Sequence, residues 1–187
     1  MRVILVRHGE VEDAYKNCYN GHNNIGLSRK GKSDALALAK RFENEEFDLL
    51  YCSDLLRAKE TLKPFKQAKD AIYTEALREK SWGRHEGMSF DAIIAEGCVK
   101  YENFKQWIEA LDGEDYRAYI ARVEEFFLKT LPSRKAESVL VITHAGVIRT
   151  LFSIVKNISL EDAFAIELPY GSAVVFDTKK QTFSTIK

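Results

Sequence analysis

Two short stretches carry most of the chemistry available to this chain. Arg7, His8 and Gly9 follow the apolar run 3–6, and His144, Ala145 and Gly146 follow the apolar run 139–142. A neutral imidazole can act as a nucleophile through one ring nitrogen when the other is held by an acceptor. A guanidinium beside it supplies forked N–H donors that match phosphate oxygens. Glycine next to each histidine lets backbone approach a ligand closely. A third stretch, CSDLLRAKET, leaves another apolar segment and carries Arg57. In open α/β sheets ligands gather beyond the carboxyl ends of the strands. If the three strands are parallel neighbours, Arg7, His8, Arg57 and His144 therefore converge on one floor. Helix N-termini at that edge would add oriented N–H groups that favour an anion. This inventory points to phosphoryl transfer, in which a histidine attacks phosphorus and a carboxylic acid protonates the leaving alkoxide. Glu79, in LREKSWG, is the chosen acid, with Glu86 next in line.

The elements that must position these groups show in the apolar periodicity. Residues 2–6 read as a buried strand, and Ser28 as the N-cap of a helix that places Ala35, Leu38, Ala39 and Phe42 on one face. A strand is expected over 47–52 and a helix over 55–68. The segment 70–98, containing EKSWGRHEGMS, reads as a long functional loop. Helices are expected over 104–111 and from 116 to Pro132, then a strand over 138–143 and a helix through 155. Two last strands are expected at 163–168 and 173–177, paired antiparallel near an edge. Such alternation predicts an α/β fold, a three-layer sandwich around a mostly parallel central sheet, in a single domain spanning 1–187.

Composition narrows the partners. The chain has 187 residues, 45% of them hydrophobic, and its 28 basic and 28 acidic residues cancel. No global field draws nucleic acid or an anionic membrane, so any positive potential must be local. No apolar stretch reaches the roughly 18 residues of a membrane span. Cys18, Cys52 and Cys98 are odd in number and form no CxxC, which fits neither a disulfide framework nor a zinc site and implies a reducing, cytoplasmic setting. The four histidines form no HxH or HExxH, so the chemistry is expected to need no metal. His22 and His85 lie in polar segments, where solvation and a place at the pocket rim are equally good readings. Trp82 reads as a pocket wall, and the pair Phe126 and Phe127 as core.

Five motifs occur in a telling order: VRHGE, YNGHNNIGLSRKG, CSDLLRAKET, LREKSWGRHEG and VLVITHAGVIRTL. Together they resemble the histidine phosphatase superfamily, the phosphoglycerate mutase-like proteins, over about residues 3–155. The resemblance implies that His8 becomes phosphorylated, that Arg7, Arg57 and His144 bind the transferring phosphoryl group, and that Glu79 is proton donor and later base. It also implies that Asn20 and Gly21 border the substrate, and that no cofactor takes part. Gly113-Glu114-Asp115 resembles the family's Gly-Glu-Ser stretch. The sequence departs from the family where Val11 and Ala14 replace frequent Thr and Asn, and where Asn24 and Gly26 replace frequent Asp and Pro. These changes spare the phosphoryl-transfer residues and bear on substrate identity. Within the family, the length and the LREKSWGRHEG loop look most like the α-ribazole phosphate phosphatases of cobalamin nucleotide-loop assembly. The implied activity is phosphomonoester hydrolysis through a phosphohistidine. Its alternatives are a broad-specificity sugar-phosphate phosphatase, a phosphoglycerate mutase, or a phosphate-binding regulatory module without turnover. The implied partner is a small phosphomonoester, and oligomeric state is left open.

Overall fold

Strands that are apolar at every position must be covered on both faces, and two segments here have that pattern. The computed structural model, which describes residues 1–185, pairs them at the centre of a six-stranded sheet. Its strands are β1 (Arg2–Arg7), β2 (Leu49–Ser53), β3 (Ile72–Thr74), β4 (Ser138–Thr143), β5 (Ala173–Asp177) and β6 (Thr182–Thr185), in the spatial order β3-β2-β4-β1-β5-β6. The first four in that order run parallel, while β5 is antiparallel to β1 and β6 to β5.

Period-two alternation splits the strand side chains between two cores. Val3, Leu5, Tyr51, Val139 and Val141 face one of them. Ile4, Val6, Leu50, Cys52, Leu140 and Ile142 face the other. The second core is closed by Leu38 of α1 (Arg29–Arg41) and by Ala58 and Leu62 of α2 (Leu56–Leu62). The first is closed by α3 (Phe90–Ala95), α4 (Phe104–Ala110), α5 (Tyr116–Glu124) and α6 (Ala145–Lys156), through residues such as Ile93, Trp107, Val123 and Leu151. The result is the α/β sandwich around a mostly parallel sheet that the sequence implies. Among the described residues, no helix is long and apolar enough to cross a membrane.

Three segments differ from expectation, each for a local reason. The helix expected over 55–68 stops at Leu62, because Pro64 has no N–H to give to the Glu60 carbonyl. Residues 163–168 are not a strand: Ser159 caps a short helix, α7 (Leu160–Ala165), by accepting from the Asp162 N–H at 3.0 Å, with Glu161 and Asp162 in its first turn. The hairpin at the sheet edge is therefore β5 with β6. The stretch 70–98 is not one loop, for it holds β3, two 3-10 turns and α3.

Register does the positioning. Arg7 pairs with Thr143, and the His8 N–H continues the ladder by donating to the Thr143 carbonyl at 2.9 Å. His8 and His144 thus leave the sheet side by side. The turn after His8 is held by α1, whose N-cap Ser28 accepts from the Gly31 N–H and donates to Glu10 Oε1 at 2.7 Å. A Cβ at position 31 would lie 2.1 Å from the Glu10 carbonyl oxygen, so only glycine fits. We expect Gly31→Ala to destabilise the fold by about 1–3 kcal/mol through overpacking. The exposed neighbour change Lys32→Ala should cost no more than about 0.5 kcal/mol. Urea midpoints of the two variants test this, and equal midpoints would show that the turn yields freely.

Candidate active site

At the carboxyl edge of the sheet lies a cavity of about 170 Å³ whose lining includes Arg7, His8, Asn20, Glu79, Trp82 and Gly146. His8 is buried, and its Nδ1 lies 2.8 Å from the Gly9 carbonyl. A carbonyl only accepts, so Nδ1 carries the proton and Nε2 keeps a lone pair. Burial, then the charges of Arg57 and Arg7, hold this imidazole well below its ordinary pKa. It is therefore neutral at neutral pH, the form able to attack phosphorus.

The ring of His144 stands 5.1 Å from that of His8, centroid to centroid. His144 is fully buried, with Nε2 2.8 Å from Ser53 Oγ at the end of β2. Burial, followed by the charge of Arg57, also keeps it neutral. Its Nδ1 has no hydrogen-bond partner among the described residues.

Two guanidiniums supply the positive charge. Arg7 stacks on the Tyr170 ring at 3.9 Å and donates through Nη1 to the Leu168 carbonyl. Arg57 is wholly buried on α2, and its pKa is pushed down to about 10, chiefly by burial. It remains a cation at neutral pH. Its Nη1 donates to the Asn23 carbonyl at 2.9 Å, and its Nη2 to the carbonyls of Gly21 and Asn20 at 2.6 and 3.1 Å. Arg57 is thus also the clasp of the 20–23 segment, a role its place in SDLLRAKET does not reveal. The Nε atoms of both arginines are buried and have no hydrogen-bond partner among the described residues.

Glu79 reaches the same edge from the other side. Its Oε2 accepts from the Gly146 N–H at 2.9 Å, in the first turn of α6. Its Oε1 accepts from the Lys80 N–H and from the Tyr119 hydroxyl, each at 3.0 Å. A Cβ at position 146 would lie 2.1 Å from Oε1, so the glycine of the HAG motif makes room for this carboxylate.

The remaining residues singled out from sequence separate cleanly. Asn20 lines the cavity while its amide nitrogen donates to the carbonyls of Tyr15 and Cys18. Gly21 packs against Lys80, whose carbonyl would be 2.1 Å from a Cβ there, and gives its N–H to Glu86. Glu86 accepts from the N–H groups of Gly21, His22 and Trp82 at 2.7 to 2.9 Å, which makes it a loop clamp. His22 Nε2 bonds the Glu79 carbonyl, and buried His85 accepts from the Asp112 N–H, so both serve the scaffold. Trp82 does line the cavity, and Phe126 and Phe127 are core. The sequence reading missed Tyr170, Tyr119 and Arg149. Arg149 lines the cavity and sits one turn after Ala145 on α6, a spacing that could have flagged it. Tyr170 arrives from an irregular stretch and leaves no such signal.

Residues 3–187 match the model of the histidine phosphatase superfamily, branch 1. The chain belongs to that superfamily. A 2,3-bisphosphoglycerate-dependent phosphoglycerate mutase from Bartonella henselae is 28% identical over 93% of this chain and 90% of its own length. An adenosylcobalamin/alpha-ribazole phosphatase from Salmonella typhimurium is 30% identical over 82% of this chain and 78% of its own. Among solved structures, the alpha-ribazole phosphatase from Shigella flexneri superposes with a TM-score of 0.82 at 24% identity, covering 100% of this chain and 95% of that one, which establishes the shared fold.

Keeping two histidines of this superfamily member neutral has a measurable consequence. Unfolded, His8 and His144 take up protons below about pH 6.5. Folded, both resist protonation to lower pH. Their stabilising effect is therefore complete above pH 6.5 and lost as pH falls, by about 1.4 kcal/mol per pH unit per histidine until each protonates in the fold. Urea denaturation at pH 7.5 and 5.5 should show this decline, and His8→Asn should make it shallower. An unchanged slope in the variant would mean that His8 titrates normally in the native state.

Proposed function

We propose that this superfamily member hydrolyses small phosphomonoesters through a phosphohistidine at His8 Nε2. The observation that carries the reading is that, among the described residues, the buried Arg7 Nε, Arg57 Nε and His144 Nδ1 have no hydrogen-bond partner, beside His8, whose Nε2 keeps its lone pair. An unsatisfied buried donor costs about 1–3 kcal/mol, so a cluster of them favours arrival of an acceptor-rich anion. A phosphoryl group supplies the oxygens. In the first step His8 Nε2 bonds to phosphorus as the bond to the ester oxygen breaks, and protonated Glu79 gives that oxygen its proton. In the second, Glu79 takes a proton from water as the water oxygen displaces Nε2 and releases phosphate. In both steps Arg7 and Arg57 neutralise charge on the equatorial oxygens, and neutral His144 gives them a hydrogen bond.

For the organic part of the substrate, the α-ribazole phosphate reading is supported by the Salmonella relative at 30% identity. A mutase reading is favoured by the Bartonella relative, which matches at 28%. The three free cysteines support a reducing, cytoplasmic setting. We expect the purified protein to hydrolyse p-nitrophenyl phosphate, and His8→Ala to abolish that activity and the acid-labile phosphate trapped on quenching. Equal rates in both proteins would defeat the proposal and leave a binding module. Arg57→Ala should lower kcat/KM by about 2–4 kcal/mol, roughly 30- to 1000-fold. A loss under twofold would remove Arg57 from the site. A panel holding α-ribazole phosphate, sugar phosphates and both phosphoglycerates separates the substrates, with isomerisation instead of phosphate release marking a mutase.

A further inference from the structure

Glu79 presents its two carboxylate oxygens unequally. Each oxygen of a carboxylate has two lone-pair positions. Both positions on Oε1 are taken, by the Lys80 N–H and the Tyr119 hydroxyl at 3.0 Å each. Among the described residues, Oε2 accepts from the Gly146 N–H alone, at 2.9 Å, and keeps one position open. A transferable proton can therefore sit on Oε2 without breaking a hydrogen bond, whereas on Oε1 it would displace a donor. The carboxylate is further surrounded by the cations Arg7, Arg57, Lys80 and Arg149, on β1, α2, its own segment and α6.

The Tyr119 phenol is built to stay in this place. It is only 2% exposed, and it does not line the cavity, so it acts on the reaction through Glu79 alone. Its helix, α5, is tied to the segment just before Glu79 by Arg122. That guanidinium donates to the carbonyls of Ala76 and Arg78, both at 2.9 Å, and is paired with Glu114 through two bonds of 2.8 and 2.9 Å. Arg122 also lies over the Tyr119 ring, 5.1 Å from its centroid. Burial and then the nearby Glu79 charge raise the phenol's pKa, so it remains a neutral donor throughout the working pH range.

We propose that Tyr119 is a positioning residue that saturates Oε1 of Glu79 and so directs proton transfer to the leaving group through Oε2. This rests on the assignment of Glu79 as the general acid. Removing the hydroxyl frees a lone-pair position on Oε1, and the proton then divides between a productive and an unproductive oxygen. The effect must scale with how much the leaving group needs a proton.

The test compares wild type, Tyr119→Phe, Glu79→Gln and the double variant on p-nitrophenyl phosphate and on glycerol 2-phosphate. p-Nitrophenolate departs with little protonation, whereas an alkoxide does not. We expect Tyr119→Phe to lose about tenfold in kcat/KM, which reports the steps through departure of the leaving group, on the alkyl ester and under threefold on the aryl ester. In the double variant, Tyr119→Phe should add nothing to the loss caused by Glu79→Gln, since both act through one proton. Equal losses on the two esters, no loss on either, or additive losses in the double variant would each overturn the role of Tyr119. Tyr119→Met, which also lacks the hydroxyl, repeats the comparison if Tyr119→Phe does not fold. A wild-type protein inert toward both esters would instead overturn the hydrolase reading on which the inference stands.

Discussion

One hydrogen bond fixes the rest of the site: the His8 N–H to the Thr143 carbonyl, 2.9 Å long, one step past the last paired residues of β1 and β4. Because the two strands are parallel and in this register, both histidines leave the sheet at the same level. A slip of one residue would turn every strand side chain to the opposite face, moving Val3 and Leu5 into the core now filled by Ile4 and Val6. The two cores therefore enforce the register, and the register enforces the distance between the imidazoles. Ser53, at the matching end of β2, then reaches His144 Nε2 because its strand is the other neighbour of β4.

Bringing two guanidiniums to that edge is costly, since burial penalises the charged form of each. The fold offsets the penalty with carbonyls and π-faces, and no carboxylate lies within salt-bridge distance of either guanidinium among the described residues. This choice has a chemical reason. On the proposed phosphoryl-transfer reading, a carboxylate bound directly to Arg7 or Arg57 would neutralise the charge that the phosphoryl group needs, whereas a carbonyl solvates the cation and leaves its positive field in place. Glu79, which would be the obvious partner, is held back by Gly146, Lys80 and Tyr119. The glycine at 146 is thus as much a part of the electrostatic arrangement as the charged groups.

The floor of the site is legible in the sequence because strand ends are legible. Continuous apolar runs mark buried strands, and the residues next after each run must emerge at a sheet edge, which places Arg7, His8 and His144 together, with Arg57 on the helix that follows β2. The groups that escape such a reading depend on tertiary approach. Tyr119 looks like any apolar-face residue of α5, and only the fold shows its hydroxyl meeting Glu79. The same holds for Glu86, three of whose four contacts to loop N–H groups come from Gly21, His22 and Asn23, more than sixty residues away in the chain. The short helix α7 reads as a strand in the sequence because AFAIEL alternates like one, while the capping serine that decides the matter lies four residues upstream of Ala163.

The site divides between strand-borne and loop-borne groups. The groups around His8 come from β1, α2 and the first turn of α6, elements locked by two cores. The outer wall comes from Cys18, Tyr19, Trp82, Phe164 and Tyr170, on irregular segments and on α7. Those segments are held to the rest of the fold by bonds such as the Arg57 clasp on 20–23 and the Trp107 N–H to the Tyr19 hydroxyl at 2.7 Å. Sequence can therefore change along the wall without disturbing the register that sets the chemistry. Val11 lies where the two meet: it lines the cavity, is 1% exposed, and bridges to Leu27. An apolar side chain there withholds a hydrogen bond from whatever binds. On the proposed phosphoryl-transfer reading, that places the burden of orienting the phosphoryl group on the arginines and His144, and leaves the rest of the molecule to the aromatic wall and Arg149.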